Sequence, residues 1–324
     1  MGRYRLTWQC MLVPLLLGWS VASARAQGYP EKPVRLVVPF AAGSATDTVA
    51  RLLAQGLSER TKATFIVEDR PGANGAIAAD YVAKSAPDGY TLFMATVSTH
   101  SQVPWLMKKP PYDAIKDFVP IAGIGGFSFV IVVHPSLPAR TVREFVALAK
   151  SYPGNLPYGA PGGTSQICSE TLRRRAGVSL ALVPYKSSPQ AITELIAGQI
   201  GMICSDFATA IAHIKSGKIR ALALTTAKRS DELPDIPTLK ETFADITEMR
   251  SWIGVLAPAG TPDSVVERLA PEIKTVIGVP AFKTRLAPLG FELLTLDARE
   301  LAAYMQSELA KWGELIKQAG IEAQ

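Results

Sequence analysis

Strand-like and helix-like patterns of apolar and polar positions alternate along most of this chain. A β-branched run over 34–38 stops at Pro39 and turns through small residues. Beyond the turn, Val49, Leu52, Leu53, Gly56 and Leu57 follow the spacing of one buried helix face. Further strands are expected over 64–67, 90–95, 127–134, 156–160, 180–185, 201–205, 219–225 and 252–257. Helices are expected over 76–84, over 142–151, from the turn at 161–166 to near Arg175, and over 191–197, where Gly198 should stop the helix. The tail reads as two or three helices, one of them over 302–319. Such alternation predicts an α/β protein with largely parallel sheets.

That architecture directs attention to the carboxyl ends of the strands, where open α/β sheets bind their ligands. Four of these ends carry small or hydroxylated residues: Gly43–Asp47, Thr96–His100, Gly162–Gln166 and Lys186–Ser188. Ser44 and Asp47 have capping-box spacing, so a helix should begin there. Its free N–H groups suit an anion without any charged side chain, although an ordinary capped connection would read the same way. Catalytic patterns are not found. Gly162-Gly-Thr-Ser165 lacks the spacing of a nucleophile elbow, Gly123-Ile-Gly-Gly126 does not fit a dinucleotide fingerprint, and there is no P-loop lysine pattern. His100 has no obvious nucleophile beside it, and Asp47 is explained as a helix-start residue.

The first 26 residues are set apart. Arg3 and Arg5 precede a short apolar core at 11–19, and Ala24-Arg-Ala26 supplies the small residues of a signal-peptidase site, so cleavage is expected after Ala26. The core is too short to span a bilayer and contains Pro14. No later run is long and apolar enough to cross one, so a soluble mature chain is expected. Cleavage leaves 298 residues, enough for two lobes. Half of the formal charge of +6 belongs to the three leader arginines, and the remaining 31 basic and 28 acidic residues balance to +3. No basic block interleaved with aromatics survives, which speaks against nucleic acid. His100, His134 and His213 are too scattered for a metal site, and Cys168 and Cys204 are too far apart to supply one. In an oxidising compartment these cysteines either form a disulfide, worth about 2–4 kcal/mol, or remain buried thiols.

A series of motifs runs in order through the mature chain: Val-Pro-Phe-Ala-Ala-Gly-Ser-Ala-Thr-Asp47, Arg-Pro-Gly-Ala-Asn-Gly75, Ala-Pro-Asp-Gly-Tyr90, Pro-Tyr-Asp113 and Asp-Phe118. It continues with Gly-Gly-Thr-Ser165, Val-Pro-Tyr-Lys186, His-Ile-Lys-Ser-Gly-Lys218, Leu-Pro-Asp-Ile-Pro-Thr238 and Ala-Pro-Ala-Gly-Thr-Pro262. This series resembles the Bug, or tripartite tricarboxylate transporter (TctC-like), family of periplasmic substrate-binding receptors. The resemblance implies a type II periplasmic-binding-protein fold with mostly parallel sheets and two crossing hinge strands, 127–134 and 252–257. Lobe 1 would comprise 27–127 plus 249–324, and lobe 2 would comprise 128–248. It also implies a disulfide between Cys168 and Cys204, carried by a subgroup of the family.

The ligand implied is a small organic carboxylate, held through backbone N–H groups, hydroxyls and ordered water. The candidate residues are Phe40, Ala42, Gly43, Ser44, Thr46 and Asp47 on the first loop, and Thr96, Ser98, Thr99 and His100 after the third strand. In the second lobe they are Gly163, Thr164, Ser165, Gln166, Lys186, Ser187, Ser205 and Asp206. Three positions depart from the family pattern. Ser44 replaces a second glycine, Gln166 replaces a histidine, and Ser205 stands where an aspartate is usual, with Asp206 displaced by one. Lys186 would reach a second carboxylate only if it turned inward; a solvated lysine is the plainer reading. The resemblance thus predicts a non-enzymatic periplasmic receptor, monomeric and without cofactor, delivering its ligand to integral-membrane transporter subunits. Docking of the same closed form on a sensor kinase is a second reading, and an exported enzyme using His100 or Asp47 is a third.

Overall fold

A computed structural model describes residues 28–324; the expected signal peptide and its cleavage site after Ala26 lie outside the described residues. Two mixed sheets flanked by helices form two lobes. The first sheet has the order β11-β4-β10-β3-β1-β2, built from β1 (Val34–Val38), β2 (Phe65–Asp69), β3 (Thr91–Thr96), β4 (Phe118–Phe127), β10 (Ile253–Pro258) and β11 (Phe291–Leu296). The second has the order β7-β6-β8-β5-β9, from β5 (Phe129–Val133), β6 (Pro157–Ala160), β7 (Ala181–Pro184), β8 (Met202–Asp206) and β9 (Arg220–Leu224). The helices are α1 (Ala45–Thr61), α2 (Ala76–Ala83), α3 (Val103–Leu106), α4 (Val142–Ser151), α5 (Gly163–Ala176), α6 (Ser188–Ile196), α7 (Phe207–Lys215), α8 (Asp263–Gly278), α9 (Pro280–Leu286) and α10 (Ala298–Ala319).

The α/β class and the two-lobed build agree with the sequence, but the pairing is more antiparallel than expected. β1 pairs in parallel with β2 and β3, and β6 with β7 and β8. β10 runs antiparallel to β3 and β4, β11 to β4, and β5 to β8 and β9. The reason is topological. Each sheet accepts a strand from the segment that crosses between sheets, and a crossing strand enters against the direction of the βαβ units. The run expected as a single strand over 127–134 is essentially β5; Phe127 ends β4, and the two are separated at Ser128, which forms an antiparallel bridge with Arg250 on the return path.

Two strands were absent from the sequence reading. β4 contains Gly123, Gly125 and Gly126, which lower strand propensity. Each of these glycines lets another segment approach closely. A side chain at Gly125 would meet the Phe291 ring, one at Gly123 would press on Leu296, and one at Gly126 would overlap the Ser251 carbonyl. β11 was hidden in the tail because it is an edge strand with only Phe291 buried.

Alternation along the strands assigns their side chains to layers. In β1, Val34, Leu36 and Val38 pack with Val49, Leu53 and Leu57 of α1 and with Leu269, Ile273 and Val276 of α8. Val37 faces the other way, towards α2 and α10. In β5, Val130 and Val132 pack on α6 and α7, while Ile131 and Val133 face α4 and α5. The layer containing α5 and α10 is continuous between the lobes, with Trp312 fully buried in it. Among the described residues, no helix is long and apolar enough to cross a membrane.

Candidate functional site

The turn after β1 is held by its own side chains. Ser44 caps α1, its Oγ accepting the Asp47 N–H at 3.2 Å. The Asp47 carboxylate reaches back one residue beyond the usual capping-box partner and accepts the Gly43 N–H at 2.8 Å. Gly43 takes φ +80°, a left-handed conformation open to glycine. Asp47 is buried, and its Oδ2 also accepts from Arg51 Nε at 3.0 Å, while Arg51 bonds Asp69 on β2 at 3.0 Å. Burial, reinforced by the neighbouring Asp47 charge, raises the Asp69 pKa. Asp47 therefore shapes the loop and leaves the first-turn N–H groups of Ala45 and Thr46 at the positive end of α1. Phe40 is half-buried, Ala42 and Gly43 are exposed, and Thr46 is buried.

The run after β3 is a π-helical turn over Ser98–Gln102, and all five residues are buried. Thr99 organises it: its Oγ accepts the Thr96 N–H at 3.1 Å and lies 2.9 Å from His100 Nδ1, while its carbonyl accepts the Tyr112 hydroxyl at 2.6 Å. Trp252 Nε1 donates to Ser101 Oγ at 3.2 Å. His100 was expected to contact the ligand. Its ring is fully buried among Phe93, Tyr112, Phe118 and Trp252, the nearest centroid 4.6 Å away at Phe118. Burial depresses its pKa to about 3, leaving a neutral core histidine.

In the second lobe, β6 leads through Pro161 and Gly162 into α5. Gly163, Thr164 and Ser165 are buried in its first turn, and Gln166 is half-buried. Cys168, one turn further on, is disulfide-bonded to Cys204 of β8, with Cα atoms 6.2 Å apart. Next to Cys204, the buried Ser205 hydroxyl donates to the Asp206 carbonyl at 3.1 Å. Asp206 caps α7, accepting from the Thr209 N–H at 2.9 Å and the Thr209 hydroxyl at 2.6 Å. Ser187 caps α6, while Lys186 is exposed and makes no ion pair among the described residues.

These turns do not all meet. A Cβ at Gly75, which sits at φ +87°, would lie 2.8 Å from Pro39 Cβ and 2.6 Å from Thr99 Cγ2, so this glycine lets the turns after β1, β2 and β3 close up. Ser98 Oγ donates to the Asn74 carbonyl at 3.1 Å. From the other lobe, Gly162 approaches the Asn74 side chain, and Thr164 Oγ lies 2.8 Å from Gln102 Nε2. These contacts join the 72–75, 98–102 and 162–165 turns, with the 39–47 turn attached through Pro39. Among the described residues, no hydrogen bond or ion pair ties Lys186, Ser187, Ser205 or Asp206 to this group, although β8, which carries Ser205 and Asp206, packs against α5 and is bonded to it by the disulfide. Sequence reading missed Asn74, Gly75 and Gln102. The turn at 70–75 carries the same small-residue signature after β2 as the four selected ends, and Gln102 continues the polar run that the reading cut at His100. Among the described residues, no cluster of His, Cys, Asp and Glu could hold a metal.

Residues 49–321 match the family described as tripartite tricarboxylate transporter family receptor, TctC. The chain belongs to this family. Solved structures that resemble this member include Rpa4515 of R. palustris with adipate, at TM-score 0.87 and 32% identity, covering 91% of this chain and 100% of that one. The periplasmic binding protein BugD follows at TM-score 0.85 and 34% identity, covering 91% and 100%. MatC from Rhodopseudomonas palustris with bound malate has TM-score 0.83 and 29% identity, covering 89% and 100%. TctC-type proteins are periplasmic solute-binding receptors, and the paired turns described here belong to a member of that class.

Proposed function

We propose that this TctC receptor is exported to the periplasm, closes its two lobes on a small organic carboxylate, and delivers it to the membrane subunits of a tripartite tricarboxylate transporter without chemical turnover. Lobe 1 would comprise 27–127 plus 249–324 and lobe 2 would comprise 128–248. The reading is carried by the meeting of first-lobe turns with the buried start of α5, through Gln102 and Thr164. The α1 and α5 starts supply oriented N–H groups and hydroxyls, and the gathered turns contain no lysine or arginine. Phe40, Ala42, Gly43, Ser44, Thr46 and Ser98 would contact the acid from one side, and Gly163, Thr164, Ser165 and Gln166 from the other. Water-mediated contacts cost little enthalpy, so such a site binds firmly without an arginine. Relatives of this fold with adipate and with malate support an acid of this class.

The test is thermal unfolding of the leader-free protein with millimolar malate, succinate, adipate, citrate, glutamate or benzoate. An acid present at 100 times its Kd should stabilise the fold by about 2.7 kcal/mol. Absence of a shift with every one of them overturns the proposal.

A further inference from the structure

The π-helical turn ends at Gln102, whose carboxamide is the direct polar link from the first lobe to the α5 turn. Gln102 is fully buried, and so nearly are its neighbours Thr164 at 7% and Ser165 at 3% exposure. One amide atom bonds Thr164 Oγ at 2.8 Å. Among the described residues, the other has no hydrogen-bond partner, and neither has Ser165 Oγ. A long neutral side chain with one of its two polar atoms unpartnered is costly to bury in a core.

Its placement is enforced from both sides. The turn that carries it is tied down by the Thr96–Thr99, Tyr112–Thr99 and Trp252–Ser101 hydrogen bonds. Across the cleft, a Cβ on Gly163 would lie 2.9 Å from the unpartnered amide oxygen and 3.1 Å from Leu106 Cδ1. A glycine at the first position of α5 therefore lets the carboxamide lie against the helix start, where N–H groups also lack intrahelical acceptors. Two unpartnered side-chain atoms, from opposite lobes, thus lie at the open end of a 14-residue helix.

We propose that Gln102 is a specificity-determining ligand contact of this receptor. One end of its amide holds the lobes together through Thr164, and the other end, with Ser165 Oγ, binds a polar group of the acid. The inference rests on the carboxylate-receptor reading and extends it to a residue in the π-helical turn. Because the amide is neutral, it accommodates an anion that a carboxylate in its place would repel. Bond and ligand share one side chain, so ligand binding and closure are coupled through it.

The experiment is calorimetric titration of the leader-free protein, at pH 5.0 and pH 7.5, with whichever of malate, succinate, adipate, citrate, glutamate or benzoate binds it. The proteins compared are wild type, Gln102→Glu, Gln102→Met and Thr164→Val. Gln102→Glu should weaken binding at least tenfold at pH 7.5, and the deficit should shrink at pH 5.0 as the new carboxyl takes up a proton. Gln102→Met, which keeps the length and adds no charge, should weaken it about tenfold at both pH values. Thr164→Val should weaken it less than Gln102→Met, since it removes the bridge and leaves the ligand contact. Gln102→Met remains decisive if Gln102→Glu does not fold. Binding by the folded Gln102→Met variant within twofold of wild type overturns this inference and leaves the receptor reading intact. If no acid binds wild type, both fall together.

Discussion

At the scale of single residues, burial decides what each candidate does. His100 is polar and follows a strand, which is why it read as a cleft residue, yet four aromatic rings enclose it. With its folded pKa lowered to about 3 by burial, it stays neutral in the native state while the unfolded chain takes up a proton near the ordinary value of 6.5. The unfolded state then binds more protons below pH 6.5. The contribution of His100 is complete above that pH and falls by about 1.4 kcal/mol per pH unit as pH drops towards 3. Urea unfolding at pH 6.5 and pH 5 should therefore differ by about 2 kcal/mol more in wild type than in His100→Gln; equal differences would refute the assignment. Ser44 is simpler. Ser44→Ala should cost about 1 kcal/mol in the same assay through loss of the α1 cap, and Ser44→Gly only a few tenths.

At the scale of elements, the strand–turn–helix units were legible wherever apolar periodicity and small turn residues coincided. The end of β1 and the start of α1 were placed to the residue, because Pro39 ends one pattern and Ser44 begins the next. β4 was illegible because its glycines serve backbone approaches by β11 and by the 251–252 segment, and distant partners of this kind leave no local signal. The same limit hid Gln102: nothing in its neighbourhood in the chain indicates that Thr164 will lie opposite. The cysteine pair was different, since composition left two outcomes open and the family resemblance favoured one. The disulfide ties α5 to β8 and closes a loop of 36 residues. Its removal in a Cys168→Ala/Cys204→Ala variant should cost about 4 kcal/mol by the chain-entropy argument. Reductant should shift the urea midpoint of wild type and leave that of the double variant unchanged; a reductant-insensitive wild type would contradict the bond.

At the scale of the whole molecule, the two sheets share one apolar layer through α5 and α10, so their stabilities are linked. A bound acid should consequently raise a single common unfolding transition, read equally by far-ultraviolet dichroism and tryptophan fluorescence. Two separated transitions, with only one moved by ligand, would show the lobes to be independent. The α/β class and the succession of units were visible in the sequence. The mixed pairing was not, because it depends on where the chain changes sheets.

That change of sheet has a practical consequence. The chain leaves the first sheet at Ser128 and comes back at Arg250, and these two residues are bridged to one another. Everything between them is a cassette with adjacent ends. A homologous cassette cut at the same two positions can be spliced into the host without altering the distance its ends must span. The ends of an exchanged block would therefore match by construction, and what it would have to reproduce is its fit to the rest: the α5–α10 layer, the Gln102–Thr164 bond and the packing of Phe207 against Gly290.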